Sequence, residues 1–244
     1  MSAPAIFIKK ACLSRQGQWL FRQLNFDLPA GDTTCLLGPS GVGKTSLLRL
    51  IAGLNPDVDA TLQTSDGLSL SGRMAYMTQA HSLLPWLTVL NNVLLGYRLR
   101  RAKNLPLSRA YTLLEQFGLK NALQKKPAQL SGGMQQRVAL ARVLLEDRSV
   151  LLMDEPFSAL DTITRFQLHE IAADALRGRT VLLVTHDPLE ALRLGHHIAI
   201  MSGHPAQIEH LKLPFTTDPP RPYDQGNLLQ QQSTLLTRLR ERAQ

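Results

Sequence analysis

The chain has 244 residues, 44% of them hydrophobic and 19% charged, which suits one large globular domain or a core with an inserted subdomain and excludes a disordered or fibrous protein. Its net charge of +8 suits a partner with a negative face. The Lys and Arg residues are nonetheless scattered, with short clusters such as Arg98, Arg100, Arg101 and Lys103 that read as a solvated face, so no nucleic acid is expected as a partner.

No run of about 18 apolar residues occurs, and the first residues lack the apolar run of a signal peptide, so any membrane role is expected to come through a partner. Cys12 and Cys35 stand in no metal-ligand spacing and read as reduced core residues.

In chain order, AIFIKKACL, FRQLNFDLPAGD and TTCLLGPSG read as strands, with PAGD as a turn before the third. KTSLLRLIAGL follows as a helix whose apolar face is Leu47, Leu48, Leu50, Ile51 and Leu54, stopping near Asn55-Pro56. Residues 58 to 80 return to short strands, including RMAYMTQ. Residues 84 to 146 are mainly helical, broken at Pro106 and Pro127. SVLLMDEP and TVLLVTHD have the pattern of buried parallel strands, whose carboxyl ends are where ligands bind in open α/β sheets. PFTTDPPRPYD reads as an extended linker, and Leu228, Leu229, Leu235, Leu236 and Leu239 mark a last helix that packs on the body or on a partner helix.

GPSGVGKT, Gly38-Pro39-Ser40-Gly41-Val42-Gly43-Lys44-Thr45, satisfies G-x-x-x-x-G-K-[ST] between a predicted strand and a predicted helix. Its glycines let backbone amides converge on phosphate oxygens, and the helix start, which includes Ser46, adds positive potential. Lys44 can reach the outer phosphates, and the Thr45 hydroxyl can ligate magnesium. An ordinary glycine turn would leave the Gly-Lys-Thr ending unexplained.

Asp154 and Glu155 close the strand VLLM, where one carboxylate can serve a metal and the other the attacking water. His186, after VLLVT, can hydrogen-bond a terminal phosphate and hold Glu155. Gln79 is a neutral oxygen ligand for magnesium or its waters. The apolar Leu83-Leu84-Pro85-Trp86-Leu87 that follows suits a docking surface for another subunit. His169, His196, His197, His204 and His210 have no comparable setting and receive no role.

LSGGMQQR opens a further helix, and Ser131, Gly132 and Gly133 can present a hydroxyl and amides to phosphate. The chain already has one phosphate loop. Two copies placed head to tail would let each such segment cap the nucleotide held by the other.

Taken together these residues resemble the ATP-binding subunits of ABC transporters over roughly residues 5 to 215. GPSGVGKT resembles the Walker A loop, Gln79 the Q-loop, LSGGMQQR the signature, VLLMDEP the Walker B strand, SALD with Asp161 the D-loop and VTHD with His186 the switch histidine. The resemblance implies a P-loop NTPase (RecA-like) α/β core with a small antiparallel β-subdomain and an inserted helical subdomain at about 84 to 146. The ATPase domain would span residues 1 to 215, followed by the linker and helix of 216 to 244. It also implies ATP and Mg2+ as ligands, with Gln135 and Asp161 added to the nucleotide site.

A finer resemblance, in SLLPWLTVLNNV, MSGHPAQI and the PRPYD tail, is to the ATPases of importers for nitrate, sulfonates, taurine and pyrimidine precursors of thiamine. That implies a homodimer on the cytosolic face of a bacterial membrane, with two permease subunits and an external solute-binding protein. A soluble ABC-type ATPase acting on nucleic acid or ribosomes is the rival reading. The chain departs from the family where an aromatic residue usually stacks on adenine. That position falls at Arg15 or Gln16, with Trp19 nearby but out of register, and an arginine plane can stack instead.

Overall fold

Two sheets of opposite character carry the chain in this computed structural model, which describes residues 3–55, 58–212, 214–215, 217–223 and 228–242. The smaller one is antiparallel. Its strands β1 (Ile6–Arg15), β2 (Gln18–Leu28) and β4 (Asp59–Thr64) lie in the order β2-β1-β4. The larger one contains β3 (Thr33–Leu37), β5 (Met74–Met77), β6 (Val150–Asp154), β7 (Thr180–Val184), β8 (His197–Ser202) and β9 (Gln207–Leu211), in the order β5-β6-β7-β3-β8-β9. Neighbours from β5 to β8 pair in parallel, and only β9 runs against β8.

The sequences TTCLL, VLLMD and TVLLV are buried at every position because both faces of this sheet are covered, which is why they read as unbroken apolar runs. Alternate residues feed two cores. Cys35, Leu37, Leu151, Met153, Val181 and Leu183 join the core under the long helices. Leu36, Val150, Leu152, Leu182 and Val184 join the core shared with the antiparallel sheet and the first helix.

That first helix, α1 (Lys44–Ile51), buries Leu47, Leu48, Leu50 and Ile51. It stops before Asn55, earlier than the sequence pattern suggests, and Leu54 is 60% exposed rather than part of its apolar face. The cause is Gly53, at φ 67, after which the Leu54 amide bonds the Arg49 carbonyl and the Gly53 amide the Leu50 carbonyl, the paired closure of a Schellman motif. Pro56 lies outside the described residues.

Between β5 and β6 come α2 (Val89–Val93), α3 (Leu95–Leu99), α4 (Leu107–Gln116) and α5 (Gly132–Leu145), with Pro106 capping α4 and Pro127 opening a single 3-10 turn. Buried Asn92 shapes the segment ahead of α2. Its Oδ1 accepts from the Leu84 amide at 2.8 Å, while its Nδ2 donates to the carbonyls of Leu84, Leu87 and Thr88, which leaves Trp86 65% exposed.

The remaining helices are α6 (Thr162–Leu176), α7 (Pro188–Leu194) and α8 (Leu228–Glu241). Of the leucines marking the last helix, Leu228 and Leu235 are buried and Leu239 packs against the core, while Leu229 and Leu236 are exposed. The proline-rich segment before α8, of which Thr216 and Asp224 lie outside the described residues, is a strap and not a free linker. Buried Arg221 donates to the carbonyls of Leu192 and Gly195, and buried Arg193 answers by donating from Nε to the Arg221 carbonyl. The Arg193 guanidinium also lies 3.9 Å from the centre of the Tyr223 ring.

Candidate active site

Sheet order alone brings the chemistry together. The strands β5, β6, β7 and β3 are neighbours, parallel and in register through Met77↔Met153, Asp154↔Val184 and Leu36↔Val184, so their carboxyl ends share one edge. Gln79 stands two residues beyond β5, exposed. Asp154 ends β6 and Glu155 follows it. His186 is two residues beyond β7, and Gly38 is the first residue after β3.

Gly38 opens the loop because a side chain there has no room. Its φ is 152, and an ideal Cβ would sit 2.2 Å from the Met201 carbonyl oxygen. The loop's Val42 is buried, Ser46 is buried within α1, and Pro39, Ser40 and Gly41 are accessible. Lys44 curls back over this loop, donating from Nζ to the carbonyls of Gly38 at 2.7 Å and Pro39 at 2.9 Å. Burial lowers its pKa, which Glu155 and Asp154 counteract.

Thr45 Oγ1 donates to Asp154 Oδ2 at 2.8 Å. Asp154 is 2% exposed, and burial raises its carboxyl pKa against the pull of Thr45, Lys44 and Arg49. A carboxylate and a hydroxyl side by side are hard oxygen donors, and a carboxylate desolvated in this way gains from a nearby dication. Among the described residues no three His, Cys, Asp or Glu side chains converge as a metal cage. The donor set therefore fits magnesium, which takes one or two protein oxygens and completes its shell with phosphate and water.

Glu155 adopts φ 54, and its amide bonds the Val184 carbonyl, which turns its side chain to the neighbouring strand end. There Oε2 meets His186 Nδ1 at 2.5 Å. The carboxylate is largely enclosed at 12% exposure and the imidazole is open at 67%, so the pair presents its imidazole to incoming ligand.

Two arginines that sequence reasoning passed over hold the flanks. Arg165 donates to the Leu160 carbonyl at 2.9 Å and pairs with Asp187 at 3.1 Å, tying the SALD segment to the loop of His186. Arg142 donates to the carbonyls of His81 at 2.7 Å and Ser82 at 2.8 Å, fixing two positive-φ residues just after Gln79. Asp187 also caps α7 through the Leu189 amide, and Asp-Pro before an apolar run was a readable start signal for it.

The signature residues sit apart from this mutual bonding. Ser131 is exposed and caps α5 by accepting from the Met134 amide at 3.3 Å, with Gly132 exposed beside it and Gly133 partly covered. Gln135 donates to the carbonyls of Pro127 and Leu130, and Asp161 accepts from the Thr164 amide at 3.0 Å as the cap of α6. Gln136, which was not singled out, is buried against the Glu155–Ala159 turn.

The histidines given no role have structural partners where the bonds are visible. His169 packs edge-on to Phe157, His196 accepts from the Thr33 amide, His197 meets Asp32, and His210 stacks on Phe26. Both cysteines are free thiols. At the far edge, Leu20 of β2 lies against the phosphate loop, where an ideal Cβ on Gly43 would be 3.1 Å from its Cγ. Trp19, the residue before it in β2, is 44% exposed, with the Arg22 guanidinium carbon 5.6 Å from its ring centre.

Comparison with known proteins agrees with this geometry. The ABC transporter family model matches residues 21–158. The chain is 41% identical over 236 residues to an uncharacterized ABC transporter ATP-binding protein of Haemophilus influenzae, covering 95% of this chain and 97% of that one. It is 37% identical to the aliphatic sulfonates import ATP-binding protein SsuB of Bacillus subtilis, covering 86% and 84%. Among solved structures it resembles a bacterial ABC transporter cassette in dimeric form, at TM-score 0.72 and 26% identity over 85% of this chain and 99% of that one. It also resembles a dimeric post-hydrolysis state of that cassette bound to ADP and Pi, at TM-score 0.73. Family model, full-length relatives and fold agree, and the chain belongs to the ABC transporter family as an ATP-binding, ATP-hydrolysing cassette.

Proposed function

We propose that this cassette powers import of a small solute through a membrane permease, with organic sulfonates as the favoured solute class and nitrate, taurine and hydroxymethylpyrimidine-type compounds as the related choices. The sulfonate preference rests on relatives named for aliphatic sulfonate import in several bacteria. The observation that carries the reading is the single strand-end edge on which the phosphate loop, Asp154 and the Glu155–His186 pair meet.

In this reading the amides of Gly38 to Thr45 and the start of α1, with Ser46, cradle the phosphates of ATP. Lys44 exchanges the loop carbonyls for phosphate oxygens. Thr45 and Asp154, with Gln79 from the neighbouring strand end, hold Mg2+, which when bound neutralises phosphate charge. Glu155 accepts a hydrogen bond from the attacking water and takes its proton as the oxygen closes on the γ-phosphorus. The bond from that phosphorus to the β–γ bridging oxygen breaks, leaving ADP and inorganic phosphate. His186, anchored by Glu155, sets its exposed ring edge against the γ-phosphate and keeps the water in line.

Ser131, Gly132, Gly133 and Gln135 act on the nucleotide of a second copy, with Asp161 at the same junction, so that two cassettes close head to tail over two ATP molecules. Closure moves the loop held by Arg142 and Asn92, and with it the exposed Trp86, against the permease. No helix among the described residues is long and apolar enough to cross a membrane, which suits a peripheral subunit on the cytosolic face of the bacterial inner membrane, working with two permease subunits and an external solute-binding protein.

A pull-down of the tagged chain from detergent-solubilised native membranes, with ATPase activity measured on what co-purifies, tests this reading. Recovery of a hydrophobic permease with a solute-binding protein supports the importer. Recovery with nucleic acid or ribosomes alone overturns it while leaving the ATPase intact.

A further inference from the structure

Glu155 holds a backbone conformation that a non-glycine residue adopts only when its surroundings enforce it. The enforcement comes from α5. Gln136, 1% exposed, donates from Nε2 to the Glu155 carbonyl at 2.8 Å and to Ser158 Oγ at 3.2 Å, and its Oε1 accepts from the Ala159 amide at 2.6 Å. Ser158 closes the ring by donating to the same Glu155 carbonyl at 3.1 Å. One buried amide thus satisfies both ends of the turn that aims Glu155.

The same turn touches the start of α5 directly. An ideal Cβ on Gly133 would lie 3.1 Å from the Ala159 carbonyl oxygen, so the first turn of α5 and the 155–159 turn are packed backbone to backbone. Gln136 stands one helical turn beyond Ser131 and Gly132, on a helix whose body is buried from Val138 to Leu145 apart from Arg142. Gln136 and the Gly133–Ala159 contact therefore link that first turn to the carbonyl of Glu155.

We propose that Gln136 is a positioning residue that couples the two nucleotide sites of the closed pair, an inference that rests on the head-to-tail reading above. It holds Glu155 in its left-handed conformation. Because the same helix begins with the residues that cap the other copy's nucleotide, occupancy of that nucleotide sets Glu155 for hydrolysis at its own phosphate loop. Gln136 is buried, and its amide is committed to Glu155, Ser158 and Ala159. Its effect is on turnover and on communication, and not on the affinity of the loop for ATP.

The test is steady-state ATPase of Gln136→Leu in the full chain, against ATP concentration, with nucleotide affinity measured separately by equilibrium binding. The expected result is a kcat lowered roughly 10- to 100-fold, as small misplacements of a reacting group produce, with ATP affinity unchanged within about twofold. The coupling requires a Hill coefficient above 1 in the unsubstituted protein, falling to about 1 in the variant, and a value of 1 in the unsubstituted protein also overturns it. Lowered turnover with the Hill coefficient retained overturns the coupling and leaves a local support, and unchanged kcat overturns the proposal outright.

If Gln136→Leu does not fold, Ser158→Ala removes one exposed corner of the ring and must shift kcat and cooperativity in the same direction, by roughly 3- to 10-fold in kcat. ATP-dependent pairing of Glu155→Gln, followed by size-exclusion chromatography, separates the two failures. Absence of pairing overturns the head-to-tail reading and the coupling with it, whereas pairing with an unaltered Gln136→Leu overturns the coupling alone.

Discussion

The strand-end edge and the first turn of α5 use the same materials, small residues and backbone amides at the start of a helix, yet they are completed to different degrees. At the edge three side chains find partners within the chain: Lys44 the loop carbonyls, Thr45 the Asp154 carboxylate, Glu155 the His186 ring. At α5, Ser131 bonds only within its own helix, and Gly132 is exposed with nothing near it. The first is a site that one chain can finish. In the proposed head-to-tail pair the second is half of a site, and within one chain it is a helix start that leaves Ser131 and Gly132 exposed.

The largest effect is expected at the finished end. Glu155→Gln keeps the size and the contact to His186 but cannot take a proton, so ATPase turnover should fall roughly a hundredfold to ten-thousandfold while equilibrium ATP binding persists. Turnover within a few-fold of the unsubstituted protein would remove Glu155 from its role.

The unfinished end offers the sharper test. A side chain at Gly132 would meet nothing within 4 Å in its own chain, so Gly132→Asp should leave the thermal midpoint and single-chain ATP binding essentially unaltered. Its carboxylate would nonetheless face phosphate in the closed pair, and hydrolysis should drop roughly tenfold to a hundredfold through lost pairing. Full activity in that variant would mean that the start of α5 meets no nucleotide at all.

The two regions also differed in how far the sequence disclosed them. VLLMDEP and TVLLVTHD were readable because a strand buried on both faces cannot carry polar residues until it ends, so the first polar residues mark the edge where ligands sit. The glycine loop was readable because its spacing is fixed by phosphate. What stayed hidden are pairings between distant positions. Nothing local distinguishes Gln136 from Gln135, yet one holds the Glu155 turn and the other bonds Pro127 and Leu130 in its own segment. Arg142 on the Ser82 carbonyl and Arg221 on the Leu192 carbonyl have no period to betray them. Leu54 fitted the helical period and failed because Gly53, one residue earlier, had already closed the helix.

Two histidines repeat the contrast at lower energy. His186 is open at the edge, whereas His169 is 1% exposed, and burial, then Arg193 and Arg165, hold its pKa down to about 3 from 6.5. Because the folded value lies below the unfolded one, the unfolded chain binds the extra proton between those two pH values. The associated stability is complete above pH 6.5 and is lost as pH falls toward 3, about 2 kcal/mol of it by pH 5. Urea unfolding at pH 7 and pH 5 should show that loss, and His169→Phe should reduce it; an equal loss in both proteins would assign the acid sensitivity elsewhere.

The smallest expected effect concerns what holds the adenine, where the chain lacks the family's usual aromatic residue. Trp19 is half-exposed on a hairpin that abuts the phosphate loop through Leu20, and its ring already carries one cationic neighbour in Arg22. Stacking of a base on an aromatic face is worth about 1–3 kcal/mol, and the exposed setting places Trp19 at the lower end, so Trp19→Ala should weaken ATP binding about fivefold to tenfold. Binding of inorganic tripolyphosphate, which has no base, should not change, because the loop from Gly38 to Thr45 is untouched. Arg15→Ala is the matched comparison. If it weakens ATP and spares tripolyphosphate while Trp19→Ala leaves the binding of both unchanged, the base lies on a guanidinium plane instead, and the hairpin serves the nucleotide through the residue beside the turn and not through its tryptophan.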